Sequence, residues 1–504
     1  MMERDAFRTI AVVGNPWYRH FYADLGARLK ERFGSTVRLY VATEAAKDLF
    51  TQVPGGSVYD SVEVCPSFAA NSPATVHDRD ATINQALGFE RRYGRTYNWM
   101  MVPDRQYGRG YSLGGFHHPR SVQSETSDYY SAVATYNRAF AYWDEVFRTA
   151  RPTMLFEGNG LQTVVAKGNG AFARNLHPSR HKNFYYWTTD EYGDSVQIEQ
   201  AYLSGQHVST SEVPIGLSYQ GRMIIGELNK RFGLAGTILD AARITRDYSM
   251  WRLTGYHKGR QYYYRDHLGV IWRRWRDHRR LTGGKSMSLK DLEGKRFVFY
   301  PLHVEPEILF QGRAPEYPYQ LTSIVSVSRD LPAGVFLAVK EHLPAIGRRP
   351  DNFYDQISAL KNVILVDPYE PGIEVVRRAA AVITISGTVG IEAATMGKPV
   401  ITFGRHNIFN ALPTVRLVQR EEDLRAAIEW ALGPGHKAEG ERIGRSFMAS
   451  LLAVSFDMKA FTFRAITGYE PSSVTDACEQ LVQSVTVERA AVSRRVSQVV
   501  VGTA

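Results

Sequence analysis

The chain has 504 residues, more than one hydrophobic core usually organises, so the length predicts two or three domains. Its composition, with 44% hydrophobic and 22% charged residues, excludes wholesale disorder. The formal net charge of +10 favours anionic partners such as phosphorylated sugars, anionic lipid headgroups or nucleic acid.

Cysteine usage and hydropathy bear on the location of the protein. Cys65 and Cys478 are its two cysteines, and they lack a metal-binding or redox spacing, so no disulfide framework is indicated. The amino terminus lacks the pattern of a secretory signal, and no stretch supplies about 20 consecutive apolar residues. We therefore expect a cytoplasmic protein. Peripheral attachment at the inner face of the cell membrane is a further expectation.

The first elements of the chain form a β-α-β unit. "RTIAVVG" reads as a buried strand, "YRHFYADLGARLKERFG" has helical spacing with a closing glycine, and "TVRLYVAT" reads as a second strand. Such a unit opens a parallel, doubly wound sheet. His20 follows just beyond the turn at Gly14, at the strand end where ligands of these sheets bind.

Two later strands of the first half run into carboxylates. "RPTMLFEGNG" leads to Glu157 and "HKNFYYWTTDE" leads to Asp190. Transfer of a group to a hydroxyl benefits from a general base, and these residues and His20 are the catalytic candidates. Glu157 ranks first, because the glycines around it let a substrate approach the backbone. A carboxylate that binds turn amides is an equally good interpretation of Glu157.

A helical, basic insertion is predicted at about 200–285. Its segment from Trp251 to Lys285 carries ten Lys or Arg residues against two Asp. Trp272 and Trp275 are interleaved there with Arg273, Arg274, Arg276, Arg279 and Arg280. This composition is typical of helices at membrane surfaces, and it could also attract nucleic acid. A solvated interdomain helix with its aromatic residues packed inward is the alternative.

A second α/β series follows the insertion. Its predicted strands are "KRFVFYP", "GVFLAVK", "NVILVD", "AAVITIS" and "PVITFG", with helical stretches between most of them. The sequence therefore predicts two Rossmann-like domains facing across a cleft. The predicted boundaries are 1–285 for the first domain with its insertion, 286–470 for the second, and 471–504 for a helix packing back on the first.

The stretch "ITISGTVGIEAATMGKPVITFG" predicts a nucleotide site. Its strand ends at Ser386, and Gly387 and Thr388 form a tight turn whose hydroxyl can cap the next helix. The start of that helix offers free N–H groups to a phosphate. Glu392, one turn further, is placed to accept hydrogen bonds from ribose hydroxyls. A surface acid that stabilises the first helical turn is the alternative for Glu392.

The segment from about 296 to 420 resembles a known family. The runs "FYPLHVEPE", "VKEH", "NVILVDPYEP" and "AAVITISGTVGIEAATMGKPVITFG" are similar, in that order, to bacterial capsule and surface polysaccharide glycosyltransferases of GT-B type, the group that includes capsular Kdo transferases. The resemblance implies two Rossmann-like domains, with the donor held by the second. It further implies that Lys340 and His342 meet the donor phosphates, and it places His303 in the donor site.

These observations predict a metal-independent glycosyltransferase that uses a nucleotide sugar as donor substrate and needs no cofactor. The expected acceptor is a surface or capsular glycan or glycolipid, an anionic membrane surface is a further expected partner, and no nucleic acid is expected. The donor site is predicted to lie wholly in the second domain. The alternatives are a sugar-nucleotide epimerase of the same fold, a polyol-phosphate transferase, and a non-enzymatic scaffold of polysaccharide export.

Overall fold

The structure is a computed structural model. It describes residues 2–65, 76–101, 128–207, 226–228, 230–254, 264–305, 314, 317 and 319–501. Within those residues the helices and strands build two lobes, each around a parallel sheet.

The first lobe contains a five-stranded parallel sheet with the order β3-β2-β1-β4-β5. Its strands are β1 (Thr9–Val13), β2 (Thr36–Val41), β3 (Ser61–Val64), β4 (Met154–Phe156) and β5 (Phe172–Arg174). The helices in this part of the chain are α1 (Met2–Ala6), α2 (Arg19–Phe33), α3 (Glu44–Thr51), α4 (Arg79–Tyr93), α5 (Tyr97–Met101), α6 (Tyr129–Thr149), α7 (Gly160–Gly168) and α8 (Val196–Leu203). The strand order reverses between β1 and β4, which makes that point a ligand-binding position in sheets of this type.

The second lobe contains a six-stranded parallel sheet with the order β10-β9-β8-β11-β12-β13. Its strands are β8 (Arg296–Pro301), β9 (Val335–Lys340), β10 (Val363–Val366), β11 (Ala381–Thr384), β12 (Val400–Thr402) and β13 (Val415–Leu417). The helices from residue 234 onward are α9 (Leu234–Leu253), α10 (Tyr264–Thr282), α11 (Gln320–Asp330), α12 (Phe353–Ala359), α13 (Gly372–Arg378), α14 (Thr388–Thr395), α15 (Leu424–Leu432), α16 (His436–Ala453) and α17 (Pro471–Val501). The prediction of two Rossmann-like sheets is confirmed.

A small antiparallel sheet joins distant parts of the chain. Strands β6 (Leu176–Pro178) and β7 (Phe184–Trp187) form a hairpin, and β14 (Phe456–Asp457) pairs with β7. The aromatic strand before Asp190 is therefore antiparallel and lies outside both parallel sheets. Helix α17 then packs against α2, so that Ala477, Cys478 and Leu481 lie in the same core as Phe21.

The basic insertion packs differently from its predicted place in the first domain. Leu281 of α10 and the nearby Phe232 are buried in a core of the second lobe. The Arg276 guanidinium forms an ion pair with Asp351, which lies just before α12 of that lobe. The Arg280 guanidinium pairs with Asp355 in the first turn of α12. Apolar burial and complementary charge therefore tie α10 to the second lobe. The stretch 255–263 lies outside the described residues.

Hydropathy along the helices adds one finding. Among the described residues, no helix is both long enough and apolar enough to cross a membrane.

Candidate active site

The carboxyl edge of the second sheet gathers the predicted donor residues. His303 follows β8, Lys340 ends β9 with His342 just beyond it, and Ser386 follows β11. Strands β8 and β11 are neighbours in the sheet but lie far apart in the sequence, so the strand order reverses between them. Ligands of doubly wound sheets bind at this reversal, outside the carboxyl ends of the strands.

His303 packs directly on the turn that follows β11. Its Nε2 lies 3.2 Å from Thr384 Oγ1 and 3.5 Å from the Ser386 amide nitrogen. A Cβ atom at Gly387 would approach the His303 ring carbon Cε1 to 2.9 Å, and Gly387 has a φ of 94°. Both the close approach and the left-handed backbone require glycine there. The turn and the imidazole therefore form one surface at the start of α14.

The beginning of α14 differs from the prediction in one detail. Gly387 is the N-cap residue and Thr388 is the first residue of the helix, so no side chain caps the first amides. The predicted capping role of the Thr388 hydroxyl is therefore not found. Uncapped N–H groups at a helix start require another acceptor, either water or a ligand. Glu392, one turn further, is only 7% exposed.

A buried ionic network lies beneath this surface. The Arg349 guanidinium binds Glu341 through Nε at 2.9 Å and Nη2 at 3.0 Å, and it binds Glu305 through Nη1 at 2.9 Å. Tyr354 donates to Glu341 at 2.8 Å and Gln320 Nε2 donates to Glu305 at 2.8 Å. The side chains of the arginine and both glutamates have 0% exposure. The network thus satisfies the buried charges with hydrogen bonds, as such charges require.

The same network fixes the backbone at both histidines. Arg349 Nη2 donates to the His303 carbonyl at 2.5 Å, and Gln320 accepts from the His303 N–H at 2.6 Å. The His342 N–H donates to Glu341 Oε1 at 2.6 Å. Glu341 is engaged in this way and forms no ion pair with the neighbouring Lys340 side chain.

Lys340 and Glu392 face the cleft without a close partner. Neither side chain forms an ion pair within 4.0 Å or a side-chain hydrogen bond with another described residue. Burial raises the pKa of Glu392, and the cations of Arg180 and Lys340 oppose that rise. Burial lowers the pKa of Lys340, against the influence of nearby acids that include Glu392. Convergent polar groups without partners are a feature of ligand-binding sites.

His342 lies just beyond the end of β9. The residue is exposed to solvent, but protein atoms surround its ring and lower the pKa by desolvation. Burial lowers the pKa of His342 to about 4, and Glu341 opposes the change. The imidazole is therefore neutral at pH 7 and offers a hydrogen bond rather than a charge.

Glu157, the first-ranked catalytic candidate, is held in a hydrogen-bond network at the reversal point of the first sheet. Its carboxylate accepts from Tyr22 Oη at 2.8 Å, from the Leu176 N–H at 2.9 Å and from Asn15 Nδ2 at 3.0 Å. Its φ of 56° lies in the left-handed region. These contacts favour the alternative of a structural carboxylate, and the catalytic role of Glu157 stays a prediction.

Asp190 meets the second lobe directly. Its Oδ1 accepts from the N–H groups of Tyr192 at 2.9 Å and Asp194 at 3.0 Å, while its Oδ2 lies 3.5 Å from His406 Nδ1. The His406 ring stacks on Tyr192 with 4.4 Å between centroids. Burial raises the pKa of Asp190, but the His406 hydrogen bond and nearby cations outweigh it and lower the pKa overall. His406, which follows β12, was missed by sequence reasoning, although its place just past a strand end is the signal that could have found it.

Three side chains at this contact between the lobes are also candidates for metal binding. Ligand atoms of Asp190, Asp194 and His406 lie within 4.8 Å of one another. Backbone amides already occupy one oxygen of Asp190. The expectation that the reaction needs no metal stays a prediction.

His20 lies in another place. It is on α2 and lines a groove of about 570 Å³ together with Asp24, Arg28 and Tyr469. Burial, followed by the Arg19 charge, lowers its pKa. None of the residues that line this groove is among the candidates at the carboxyl edge of the second sheet.

A cavity of about 850 Å³ opens at the opposite, amino edge of the second sheet. Two of its cations have structural partners: Arg296 donates to the Leu432 carbonyl at 2.6 Å, and Lys398 donates to the carbonyls of Arg377 and Ala379 at 2.8 Å. They satisfy carbonyls at helix ends, a favourable position for a cation. We therefore place the candidate site at the carboxyl edge and not in this larger cavity.

A known family model matches the segment that carries the candidate site. Residues 237–411 match the model of the family described as capsule polysaccharide biosynthesis protein. The resemblance to this family is confirmed. The matched segment includes most of α9, all of α10 and strands β8 to β12, and it therefore contains every predicted donor residue. No curated protein matches the chain.

Solved structures that resemble the chain do so distantly. KpsC from Thermosulfurimonas dismutans, a beta Kdo 2,7 transferase, has 12% identity and a TM-score of 0.34, with 68% of this chain and 89% of that chain covered. The UDP-GlcNAc 2-epimerase of Methanocaldococcus jannaschii, in complex with UDP-GlcNAc and UDP, has 9% identity and a TM-score of 0.28, with 89% and 99% covered. Similarities of this size carry no argument about function.

Proposed function

We propose that the protein is a glycosyltransferase of capsule or surface polysaccharide biosynthesis that moves a sugar from a nucleotide sugar to a glycan or glycolipid acceptor. The observation that carries the proposal is the convergence of Lys340, His342 and Glu392 with the turn at Ser386 and Gly387 on the carboxyl edge of the second sheet. The family match over the same segment supports it.

In the proposed complex the donor phosphates lie at the start of α14. The uncapped amides after Gly387 offer hydrogen bonds, Lys340 offers positive charge, and the neutral His342 offers a further hydrogen bond. These groups stabilise the charge that develops on the leaving phosphate, so the proposed mechanism does not require a metal ion. Glu392 accepts hydrogen bonds from the ribose hydroxyls.

Glu392→Gln is expected to weaken nucleotide binding by about 10-fold to 100-fold, the usual loss for hydrogen bonds to a charged group. Isothermal titration with UDP, CDP, GDP and CMP measures this effect. Glu374→Gln, which alters a more exposed acid in the first turn of α13, is the matched control and should bind like wild type. Unchanged affinity in a folded Glu392→Gln protein would contradict the proposed donor site.

The transfer step needs a proton acceptor for the acceptor hydroxyl. In an inverting reaction the hydroxyl oxygen bonds to the anomeric carbon, the bond from that carbon to the phosphate oxygen breaks with its electron pair, and the hydroxyl proton passes to the base. Among the three candidates we propose Asp190, because its Oδ2 faces His406 of the second lobe while Glu157 is held by three hydrogen bonds. Product analysis with and without acceptor separates this reaction from epimerisation.

We further propose that helices α9 and α10 contact an anionic membrane surface, where a glycolipid acceptor would reside. Four large apolar residues of this helix pair are exposed to solvent: Ile238 is 59% exposed, Leu239 68%, Leu253 81% and Trp272 57%. Exposed apolar residues next to arginines fit an anionic interface. Arg276 and Arg280, which sequence analysis counted in the membrane-facing set, instead hold α10 on the second lobe.

Leu239→Gln combined with Leu253→Gln is expected to weaken binding to phosphatidylserine-containing vesicles by about 10-fold or more, because each leucine loses the gain from burial in the interface. Vesicle sedimentation at low salt measures the effect. Val492→Gln replaces an apolar residue of α17 that is 55% exposed and should leave sedimentation unchanged. If the wild-type protein does not sediment with these vesicles, the membrane proposal is refuted, whereas the donor-site proposal is unaffected.

A further inference from the structure

No sequence pattern indicated a role for Arg180 of the first lobe. It lies in the loop between β6 and β7, with a φ of 73° in the left-handed region. A left-handed backbone is unfavourable for a non-glycine residue, and such residues are concentrated at functional sites. The Arg180 Nε atom is buried and has no hydrogen-bond partner.

Arg180 faces the donor residues of the second lobe across the cleft. It interacts electrostatically with Glu392 and with His342. Arg180 and Glu392 nevertheless form no ion pair within 4.0 Å. The half-buried Arg180 guanidinium and the buried Glu392 carboxylate therefore interact across the cleft without direct contact.

The charges around Arg180 determine what could bind beside it. Arg180 and Lys340 are the cations of this region and His342 is neutral at pH 7, while Glu341, Asp367, Glu370 and Glu392 are acids that act on Lys340. Arg180 forms no ion pair within 4.0 Å with another described residue, so its guanidinium is available to an anion. A guanidinium presents a planar set of donors that suits the paired oxygens of a phosphate.

We propose that Arg180 binds a phosphate of the nucleotide donor, so that the donor site spans both lobes. This inference rests on the proposed function and deepens it. It replaces the expectation of a site contained in the second domain. The helix start and Lys340 hold the phosphates from the second lobe, Glu392 holds the ribose, and Arg180 adds a phosphate contact that exists only when the two lobes face each other.

The test compares a nucleotide with its parent nucleoside. Wild type is titrated with UDP, CDP, GDP and CMP, and the tightest of these is then used alongside its nucleoside. Arg180→Ala should weaken nucleotide binding by about 10-fold or more and change nucleoside binding by less than about 2-fold, because only the nucleotide carries the phosphate. Arg180→Lys, which keeps the charge but loses the planar donor set, should lie in between.

Lys182→Ala provides the matched control. Lys182 is in the same loop, also has a left-handed φ of 43°, carries the same charge and is exposed. It should bind both ligands like wild type. Arg180→Gly suits the left-handed backbone and supplies a second variant without the guanidinium should Arg180→Ala fail to fold.

The outcomes separate this inference from the function on which it rests. Equal loss of nucleotide and nucleoside affinity in both Arg180 variants would assign Arg180 a structural role and overturn the inference. Unchanged nucleotide affinity in them, with Glu392→Gln impaired, would overturn the inference and leave the proposed function standing. Wild type that binds none of the four nucleotides would overturn both.

Discussion

Asp190→Asn is expected to lower sugar transfer by about 100-fold or more while nucleotide binding persists, the usual effect of removing a general base. The asparagine keeps an oxygen for the N–H groups of Tyr192 and Asp194, so the loop retains its hydrogen bonds. It removes the negative charge beside His406. Turnover with acceptor, measured together with the dissociation constant of the nucleotide, separates the loss of chemistry from a loss of binding.

Companion variants decide how Asp190 acts. His406→Gln should resemble Asp190→Asn, and the double variant should be little worse than either single one if the two residues act as a unit. Asp194→Asn should stay active. Equal inactivation by Asp194→Asn, with turnover that requires a divalent cation, would instead indicate a metal site.

The other two catalytic candidates remain part of the same experiment. Near-normal turnover in Asp190→Asn, with Glu157→Gln inactive at unchanged stability, would restore the ranking that the sequence suggested. If Asp190→Asn, Glu157→Gln and His20→Ala all stay active, a retaining route without a base from the first lobe becomes the better account.

Arg349→Met is expected to lower the free energy of unfolding by about 3 to 5 kcal/mol, because it leaves two buried carboxylates without their cation. Those carboxylates, on Glu305 and Glu341, have no solvent exposure to compensate the loss. Urea unfolding measures the change. Burial raises the pKa of Glu305 and Arg349 opposes that rise, so the loss of Arg349 raises this pKa further. Folding of the variant therefore takes up more protons than folding of the wild type, and the deficit should be smaller at pH 5 than at pH 8.

An exposed arginine supplies the control for this prediction. Arg329 pairs with Asp330 and Glu421 at the surface, where its side chain is 56% exposed. Arg329→Met should cost less than about 1 kcal/mol, the usual limit for such pairs. If the two methionine variants cost the same, the buried network does not contribute to stability in the way proposed.

The parts of the fold that the sequence predicted are those with local signals. Runs such as "AVITIS" and "PVITFG" are apolar and β-branched over the length of one strand, and each ends in a small-residue turn. The carboxyl ends of parallel strands lie on one edge of the sheet, so the placement of His303, Lys340 and Ser386 on that edge could be predicted from the sequence alone.

The features that sequence reasoning missed depend on contacts between distant residues. Arg180 interacts electrostatically with Glu392, which lies on the other lobe and more than 200 positions along the chain. His406 likewise faces Asp190 of the first lobe. The insertion was assigned to the first domain because its composition does not reveal that Asp351 and Asp355 receive its arginines. Neither periodicity nor spacing along the chain encodes such pairings.

The return of α17 to the first lobe has a consequence for synthesis on the ribosome. The core around Phe21 is completed by Phe456, Ala477 and Leu481, which are translated after every strand of the second sheet. The lobe that is translated first therefore cannot finish its core until nearly the whole chain has emerged, whereas the second sheet is complete earlier. Because exposed apolar surface invites aggregation during such a delay, the newly made amino-terminal lobe is the part of this protein that most needs a chaperone.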